Sequence, residues 1–220
     1  MSVRTRVKIC GVTRVEDGLA AARAGCDAIG LVFWPGTPRV VAVGRAREII
    51  AALPPYVTVV GLFVDPEPGH VRATLAAVPL DLLQFHGREP PEFCRAFDRP
   101  YLKAIPVASG AAATGLLESA ARYVDAMGLL FDAAPVAGMP GGTGRTFDWS
   151  VLPTGFGRPV VLSGGLSAVN VADAIRRVRP WAVDVSSGVE ADGADGRPQK
   201  GVKDHARIAA FIEEVRHADG

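Results

Sequence analysis

The fold class that the sequence predicts is α/β, a single-domain (β/α)8 TIM barrel. Eight short apolar runs recur along the chain, and most of them are separated by a helical pattern. They recur at roughly the 20–30-residue spacing of βα units joined by right-handed crossovers. A length of 220 residues suits one such barrel. A doubly wound open sheet is the alternative, because periodicity does not show that a sheet closes on itself.

The predicted strands are the apolar runs themselves. They cover residues 6–10, 27–33, 57–64, 80–85, 101–107, 124–131, 159–163 and 181–185. The first strand therefore lies near 6–10, close to the start of the chain. Because barrel units continue on both sides of every loop, we expect one domain over residues 1–220.

The predicted helices lie between these strands. The clearest patterns are Val15–Ala24, Arg45–Leu53, Glu67–Ala77, Pro91–Phe97, Val169–Val178 and Lys203–Arg216. A weaker pattern around 111–121 completes the fifth unit. Residues 133–146 are rich in Ala, Gly and Pro and indicate a loop, as do the polar residues 191–202.

The overall composition excludes several classes of protein. The net charge is +1 with both signs mixed, and no basic cluster follows one segment, which argues against a nucleic-acid surface. No stretch approaches the roughly 18 apolar residues of a membrane span, and the N-terminus lacks the apolar run of a signal peptide. We therefore expect a soluble, cytoplasmic protein without a membrane partner. The three cysteines are widely spaced and predict neither a disulfide framework nor a zinc site.

Cys10 is the first candidate for chemistry, because it ends the first strand and Gly11 turns the backbone directly after it. Barrels keep their active sites at the carboxyl ends of the strands. Side chains alternate along a strand, so Lys8 and Cys10 share a face, which we expect to point inward. A nearby ammonium favours the thiolate, and we hypothesise that Lys8 does this for Cys10. The competing interpretations are a buried structural thiol, as we expect for Cys26 and Cys94, and a satisfied polar network.

Other polar residues also fall on the inward face. Gln84 and His86 alternate inward at the end of the fourth strand, and Asp184 does so in the eighth. Asp132 ends the run before the glycine-rich loop, and its alternative role is that of a loop or helix cap. Polar groups on this face are expected to meet at the mouth of the barrel.

Two turns of small residues predict a phosphate site. Ser163-Gly164-Gly165 follows the seventh strand and Ser186-Ser187-Gly188 follows the eighth. These two loops are where barrels usually bind phosphate, through backbone N–H groups and a helix N-terminus. The alternative is that both are structural glycine turns. The loop Gly141-Gly142-Thr143-Gly144-Arg145 does not match a P-loop, since Arg145 stands where lysine is required. We expect this loop to close over a small substrate, and Gly142 joins the predicted phosphate-binding residues.

Seven motifs in order carry a family resemblance. They are KICGVT, LVFWPGTPR, GLFVD, LLQFHG, GGTGRTFDW, LSGGLSAVNVADAI and VDVSSGVE. Together they resemble phosphoribosylanthranilate isomerase, over about residues 6–216. The resemblance implies a (β/α)8 barrel that acts in tryptophan biosynthesis without cofactor or metal. The implied reaction is an Amadori rearrangement of N-(5-phosphoribosyl)anthranilate to 1-(2-carboxyphenylamino)-1-deoxyribulose 5-phosphate.

The resemblance also implies residue roles. Cys10 takes the place of the general base and Asp132 that of the general acid. Arg39 holds the place of a substrate-contacting arginine, and we expect it to pair with the anthranilate carboxylate. Substrate binding is likewise expected of Gln84, His86 and Asp184, although the alternative for Asp184 is that it only holds Lys8 in place. Phosphate binding is expected of Gly164, Gly165, Ser186, Ser187 and Gly188. The partner is thus a small phosphosugar–anthranilate substrate, and the assembly a monomer or homodimer.

This sequence departs from the family pattern in a few places. Thr37 replaces the usual serine before Pro38-Arg39, and residues 191–200 form a longer loop than usual. Two rival functions stay open. One is another phosphosugar barrel, such as a histidine-biosynthesis isomerase, although those enzymes carry aspartate where Cys10 stands. The other is a non-catalytic barrel that keeps the phosphate site, for which loss of Cys10 or Asp132 would be the signature.

Overall fold

Eight parallel strands close into a barrel in the computed structural model, which describes residues 4–134, 146–193 and 196–220. The barrel is built in chain order, so β8 returns to pair with β1. The strands are β1 (Arg6–Cys10), β2 (Ala28–Val32), β3 (Thr58–Phe63), β4 (Leu82–Phe85), β5 (Tyr101–Val107), β6 (Gly128–Ala133), β7 (Val160–Leu162) and β8 (Ala182–Val185). The predicted fold class is confirmed, and the open-sheet alternative is wrong.

Helices follow the strands and cover the outside of the barrel. They are α1 (Val15–Ala24), α2 (Val43–Ala52), α3 (Pro68–Ala77), α4 (Pro91–Cys94), α5 (Ala113–Ala121), α6 (Val171–Val178) and α7 (His205–Asp219). The weak fifth pattern does form a helix. Between β6 and β7 the described residues 146–159 hold a 3-10 turn, Trp149–Val151, and no α-helix. No helix in the described part of the chain has both the length and the apolar character needed to cross a membrane.

Alternation along the strands separates an outer core from an inner one. Outward side chains such as Ile9, Leu129 and Val183 are buried in the layer between the strands and the helices. Inward side chains such as Leu130 and Val161 form a separate apolar cluster inside the barrel. This cluster fills the barrel interior with packed side chains, as in other barrels of this class. The polar inward residues therefore lie at the mouth of the barrel, at the carboxyl ends of the strands.

The sixth strand lies further along the chain than predicted. Residues 124–131 were expected, but β6 is Gly128–Ala133, because the chain turns before it through bonds from the Tyr123 N–H to Ala120 and from the Ala126 N–H to Tyr123. Val124 and Met127 are exposed in this turn, so their apolar character does not mark a strand. Asp132 is consequently the next-to-last residue of β6 rather than the residue that follows it.

The polar segment after β8 is a hairpin and not the predicted loop. Its strands are β9 (Glu190–Asp192) and β10 (Pro198–Lys203), which pair antiparallel. The segment lacks apolar alternation, and ion pairs between side chains join its strands to each other and to α7. The last helix begins at His205 and is capped by Asp204, whose carboxylate accepts the N–H groups of residues 206 and 207. It runs to residue 219, three residues beyond the predicted end.

Candidate active site

A pocket that is partly open to solvent lies at the carboxyl ends of the strands. Among the residues that the structure describes, all of those predicted for the site line this pocket except Gly188. Gly188 instead packs against the preceding turn, where an added Cβ would lie 2.0 Å from the Leu166 carbonyl oxygen. Gly142 lies outside the described residues.

Cys10 lines the pocket, and the Lys8 side chain is buried beside it. They lie two residues apart on the inner face of β1, and Cys10 pairs in register with Gly30 of β2. A Cβ on Gly30 would lie 2.8 Å from the Cys10 Sγ and 3.0 Å from the Lys8 Nζ. Glycine at this position therefore leaves the space in which the thiol and the ammonium meet.

We expect Gly30→Ala to disturb this arrangement, because a methyl group would collide with the Cys10 Sγ. Overfilling a packed site typically costs about 1–3 kcal/mol of stability, and here turnover should also fall as the thiol moves. Denaturant unfolding and kcat are the measurements. The matched control is Gly44→Ala in α2, where an added Cβ meets nothing within 4 Å. Equal stability and kcat in both variants would contradict the proposed crowding.

Lys8 is held by Asp184, its register partner on β8. The Lys8 Nζ donates to the Asp184 Oδ1 at 2.8 Å, and both side chains are about 5% exposed. The second oxygen, Oδ2, accepts from the Ser163 hydroxyl at 3.4 Å. Burial lowers the pKa of Lys8, but Asp184 and the neighbouring thiol raise it more, so that its net pKa is raised. Lys8 therefore remains an ammonium beside the thiol.

The pKa of Cys10 is set by opposing effects. Burial raises the pKa of this thiol, the Lys8 ammonium lowers it by less, and the net pKa lies above its ordinary value. Lys203 also lowers it, while Asp184 raises it. Lys8 thus acts in the direction that we hypothesised, but burial outweighs it. In the free protein, Cys10 is a thiol at neutral pH.

A pH profile tests this balance. If Cys10 acts as a base, kcat/KM should rise with pH as the thiolate forms, since kcat/KM reports the groups of the free enzyme. Lys8→Met removes a cation that lowers the pKa of Cys10, so the rising limb should move to higher pH. Because this variant leaves Asp184 buried and unpaired, the companion is Lys8→Met/Asp184→Asn, which should move the limb in the same direction. Rising limbs unchanged in both variants would remove Lys8 from the mechanism.

Asp132 stands at the end of a hydrogen-bonded chain. Its Oδ1 accepts from the Ala133 N–H at 2.9 Å, and its Oδ2 lies 3.1 Å from the His86 Nε2. The Gln84 Nε2 lies 2.9 Å from the His86 Nδ1. With the amide nitrogen of Gln84 facing Nδ1, that ring nitrogen accepts and the ring hydrogen lies on Nε2; with the amide oxygen there, Nδ1 would donate and Nε2 would accept. The Gln84 Oε1 is buried and has no hydrogen-bond partner among the described residues.

Cys10 and Asp132 face each other across the mouth. On the shorter way round the barrel, two strands, β7 and β8, separate β1 from β6. Both side chains are buried, at 5% and 6% exposure for the two residues, yet both line the pocket. A ligand that fills the pocket therefore lies between a thiol and a carboxyl group.

One side of the pocket is apolar. The side chains of Val32, Trp34, Leu62 and Val64 cluster with Cys10 at the ends of β2 and β3. None of these four residues is among the candidates that the sequence predicts. A signal was present, because Val32 and Trp34 lie two residues apart and so share the inward face. This wall suits a flat, apolar ring.

Arg39 lies in the loop after β2 and is 5% exposed. Its Nε and Nη2 donate to the two carboxylate oxygens of Glu190, at 2.7 and 2.8 Å. Glu190 begins β9, and its side chain is fully buried. The sequence carried no signal for this pair, because the two residues stand 151 positions apart. Arg39 still lines the pocket next to Thr37.

Both predicted phosphate turns reach the same pocket. Gly164 and Gly165 follow β7, and Ser186 and Ser187 follow β8. Asn170, which sequence reasoning missed, fixes the first turn, because its side chain accepts from the Ser167 N–H at 2.8 Å and donates to the Gly165 carbonyl at 3.0 Å. Within the described ranges, His, Cys, Asp and Glu side chains form no group of three or more that could hold a metal ion.

Comparison with known proteins gives one consistent result. The family model described as N-(5'-phosphoribosyl)anthranilate (PRA) isomerase matches residues 7–214. The N-(5'-phosphoribosyl)anthranilate isomerase of Pseudomonas paraeruginosa is 56% identical over 211 residues, which are 96% of this chain and 95% of that protein.

Solved structures agree with the sequence relatives. The phosphoribosyl anthranilate isomerase of Thermus thermophilus superimposes with a TM-score of 0.83 at 34% identity, over 97% of this chain and 99% of that one. Another phosphoribosyl anthranilate isomerase, in complex with reduced 1-(o-carboxyphenylamino)-1-deoxyribulose 5-phosphate, superimposes with a TM-score of 0.79. It is 37% identical and covers 97% of this chain and 99% of its own.

Proposed function

Because this chain belongs to the N-(5'-phosphoribosyl)anthranilate isomerase family, we propose that it catalyses the Amadori rearrangement of N-(5-phosphoribosyl)anthranilate in tryptophan biosynthesis. The product is 1-(2-carboxyphenylamino)-1-deoxyribulose 5-phosphate. The observation that carries the mechanism is the pair Cys10 and Asp132 on opposite sides of one pocket. An aldose–ketose isomerisation of this kind needs an acid at the ring oxygen and a base at C2. The remaining lining supplies groups for both charged ends of the substrate.

The proposed pose follows from charge and polarity. The phosphate lies at the turns Gly164-Gly165 and Ser186-Ser187, where small residues let backbone N–H groups approach it. The anthranilate carboxylate pairs with Arg39, and its ring lies against the apolar wall that contains Trp34. A relative binds reduced 1-(o-carboxyphenylamino)-1-deoxyribulose 5-phosphate, which carries both of these charged groups. The ribose is thereby held between the acid and the base.

Asp132 acts in the first step as the general acid. Its carboxyl group gives a proton to the ring oxygen, the bond from that oxygen to C1 breaks, and the anthranilate nitrogen forms a C=N bond to C1. The open-chain Schiff base results. The His86 Nε2 and the Ala133 N–H contact the two oxygens of Asp132 and hold the carboxyl group in place.

Cys10 acts in the second step as the general base. Its thiolate takes the C2 proton, the electrons of that C–H bond form the C1=C2 bond of an enolamine, and the π electrons of the C1=N bond return to the nitrogen. The enolamine tautomerises to the ketone, as C1 gains a proton and the enol hydroxyl loses one. Each positioned acid or base typically contributes about 10²–10⁴-fold to the rate. Cys10 forms no covalent bond to the substrate in this scheme.

Three other polar residues complete the proposal. The unpartnered Gln84 Oε1 accepts from a sugar hydroxyl, which would satisfy an atom that is costly to leave buried alone. His86 contacts the substrate beside Asp132. Asp184 holds Lys8 and lines the pocket, so it fixes the ammonium next to Cys10 and borders the substrate.

The direct test is a fluorescence assay that follows the disappearance of phosphoribosylanthranilate made in situ from anthranilate and an activated phosphoribosyl donor. Turnover by the purified protein in a metal-chelating buffer without added cofactor is the expected result. Absence of turnover would overturn the proposal and favour a barrel that only binds phosphate esters. Complementation of a tryptophan auxotroph is the corresponding test in cells.

The remaining expectations concern cofactor, assembly and location. We propose that the enzyme needs no cofactor, works in the cytoplasm and forms a monomer or a homodimer. Light scattering coupled to gel filtration distinguishes the two assemblies.

A further inference from the structure

A buried ion cluster lies behind the pocket, between the hairpin and the barrel. Glu190 is its centre, and its Oε1 accepts from the Arg39 Nε at 2.7 Å and from the Gly201 N–H at 2.9 Å. The Lys203 Nζ lies 3.4 Å from the same oxygen. The other oxygen, Oε2, accepts from the Arg39 Nη2 at 2.8 Å. One carboxylate is thus shared by two cations.

Burying the charges of this cluster costs free energy of desolvation, and close hydrogen bonds between the charged groups offset that cost. The side chains of Glu190 and Lys203 are fully buried, and that of Arg39 is 7% exposed. A buried ion pair seldom adds net stability over apolar packing, so its presence favours a role in geometry. Gly11 supports the same reading, because its φ is +72° and an added Cβ would lie 2.8 Å from the Arg39 Cδ. The residue after Cys10 thus leaves room for the arginine side chain.

The Glu190 carboxylate keeps its charge. Burial raises the pKa of Glu190, but the hydrogen bond from Arg39 and the charge of Lys203 lower it more, so that its net pKa lies below the ordinary value. With Glu190 as a carboxylate, a bidentate pair with Arg39 forms. Such a pair fixes the plane of the guanidinium as well as its position.

The cluster reaches both ends of the proposed pose. Arg39 lines the pocket where the anthranilate carboxylate is expected. Lys203 donates to the Ser186 carbonyl at 2.9 Å, behind the second phosphate turn. Glu190 is the first residue of β9 and Lys203 is the last residue of β10. Glu190 therefore lies between Arg39 and Lys203 and contacts both.

We propose that Glu190 is a positioning residue for the reaction: it orients the Arg39 guanidinium so that Arg39 receives the anthranilate carboxylate. The inference rests on the proposed function, since it takes Arg39 as the partner of that carboxylate. Glu190 itself does not touch the substrate. Its removal should therefore affect binding of the aromatic end more than the chemical step.

The test is Glu190→Gln, which keeps the size of the side chain and removes its charge. The expected result is a rise of about tenfold in KM for phosphoribosylanthranilate, with a smaller change in kcat, because uniform binding is lost. Binding of anthranilate alone should weaken in titration calorimetry, and binding of inorganic phosphate alone should not. Glu190→Asp keeps the buried charge but withdraws the carboxylate, so it should move the same quantities in the same direction if Glu190→Gln fails to fold.

Two comparisons separate positioning from other roles. Asp192 lies on the same hairpin and forms an exposed pair with Arg207 of α7. Asp192→Asn breaks that pair and should change neither KM nor anthranilate binding. In an Arg39→Lys background, Glu190→Gln should have little further effect on KM, since coupled residues are not additive.

Three outcomes would overturn the inference. Additive effects on KM, or a loss of thermal stability with KM unchanged, would give Glu190 a structural role only. Tighter anthranilate binding in Glu190→Gln would mean that Glu190 competes with the ligand for Arg39. The proposed function fails separately, by absence of turnover in the unmodified enzyme, whatever Glu190→Gln does to anthranilate binding.

Discussion

Cys10→Ser is expected to lower kcat by about 10²–10⁴-fold, with a smaller change in KM. A hydroxyl is a far weaker acid than a thiol, so serine supplies almost no anion to remove the C2 proton. The exchange of sulfur for oxygen changes the shape of the pocket little, so substrate binding should largely persist. Steady-state kinetics with phosphoribosylanthranilate made in situ measures both quantities.

The controls are the other two cysteines of the chain. Cys26 and Cys94 are buried in the outer core, away from the pocket lining, and burial raises the pKa of each to about 12. Cys26→Ser and Cys94→Ser should therefore retain kcat, although each places a hydroxyl in an apolar layer and may be checked for stability by thermal unfolding. Near-normal turnover in Cys10→Ser would remove Cys10 from the role of base.

Asp132→Asn should produce a loss of similar size, about 10²–10⁴-fold in kcat. The amide has nearly the shape of the carboxyl group but has no acidic proton to give to the ring oxygen. The contact with the His86 Nε2 must also rearrange if the amide nitrogen faces it. The same kinetic assay applies, and the change in kcat should exceed that in KM.

The matched control is Asp125→Asn. Asp125 pairs with Arg95 on the surface just before β6, and both side chains are well exposed. A surface pair of this kind contributes little, so activity and stability should stay close to those of the unmodified enzyme. If Asp132→Asn behaves like this control, the general acid must be sought elsewhere in the pocket.

The period of two along each strand explains why much of the site could be predicted. It placed Lys8 and Cys10 on one face of β1, and closure of the barrel brings β8 and Asp184 against them. Strand ends in a barrel converge, so Asp132 and Cys10 meet in one pocket although they are far apart in sequence. Which residues share a strand face, and which strand ends converge, both depend on backbone geometry. The sequence pattern therefore predicts them directly.

Other parts of the site depend on contacts between loops, which no periodicity records. The pair of Arg39 and Glu190 joins the loop after β2 to a hairpin that was predicted as an irregular loop. The hairpin sequence does not alternate between apolar and polar residues. Ion pairs, some buried and some exposed, hold its strands in place instead of an apolar face. The apolar pattern also predicts the wrong start for β6, because Val124 is apolar but lies exposed in a turn.

The buried thiol has a consequence for chemical durability. Thiolates, not thiols, react readily with peroxides, and oxidation beyond the sulfenic acid is largely irreversible. Burial keeps Cys10 protonated in the free enzyme, and the pocket wall leaves only 5% of the residue exposed. The base that the reaction requires is therefore stored in its less oxidisable form between turnovers.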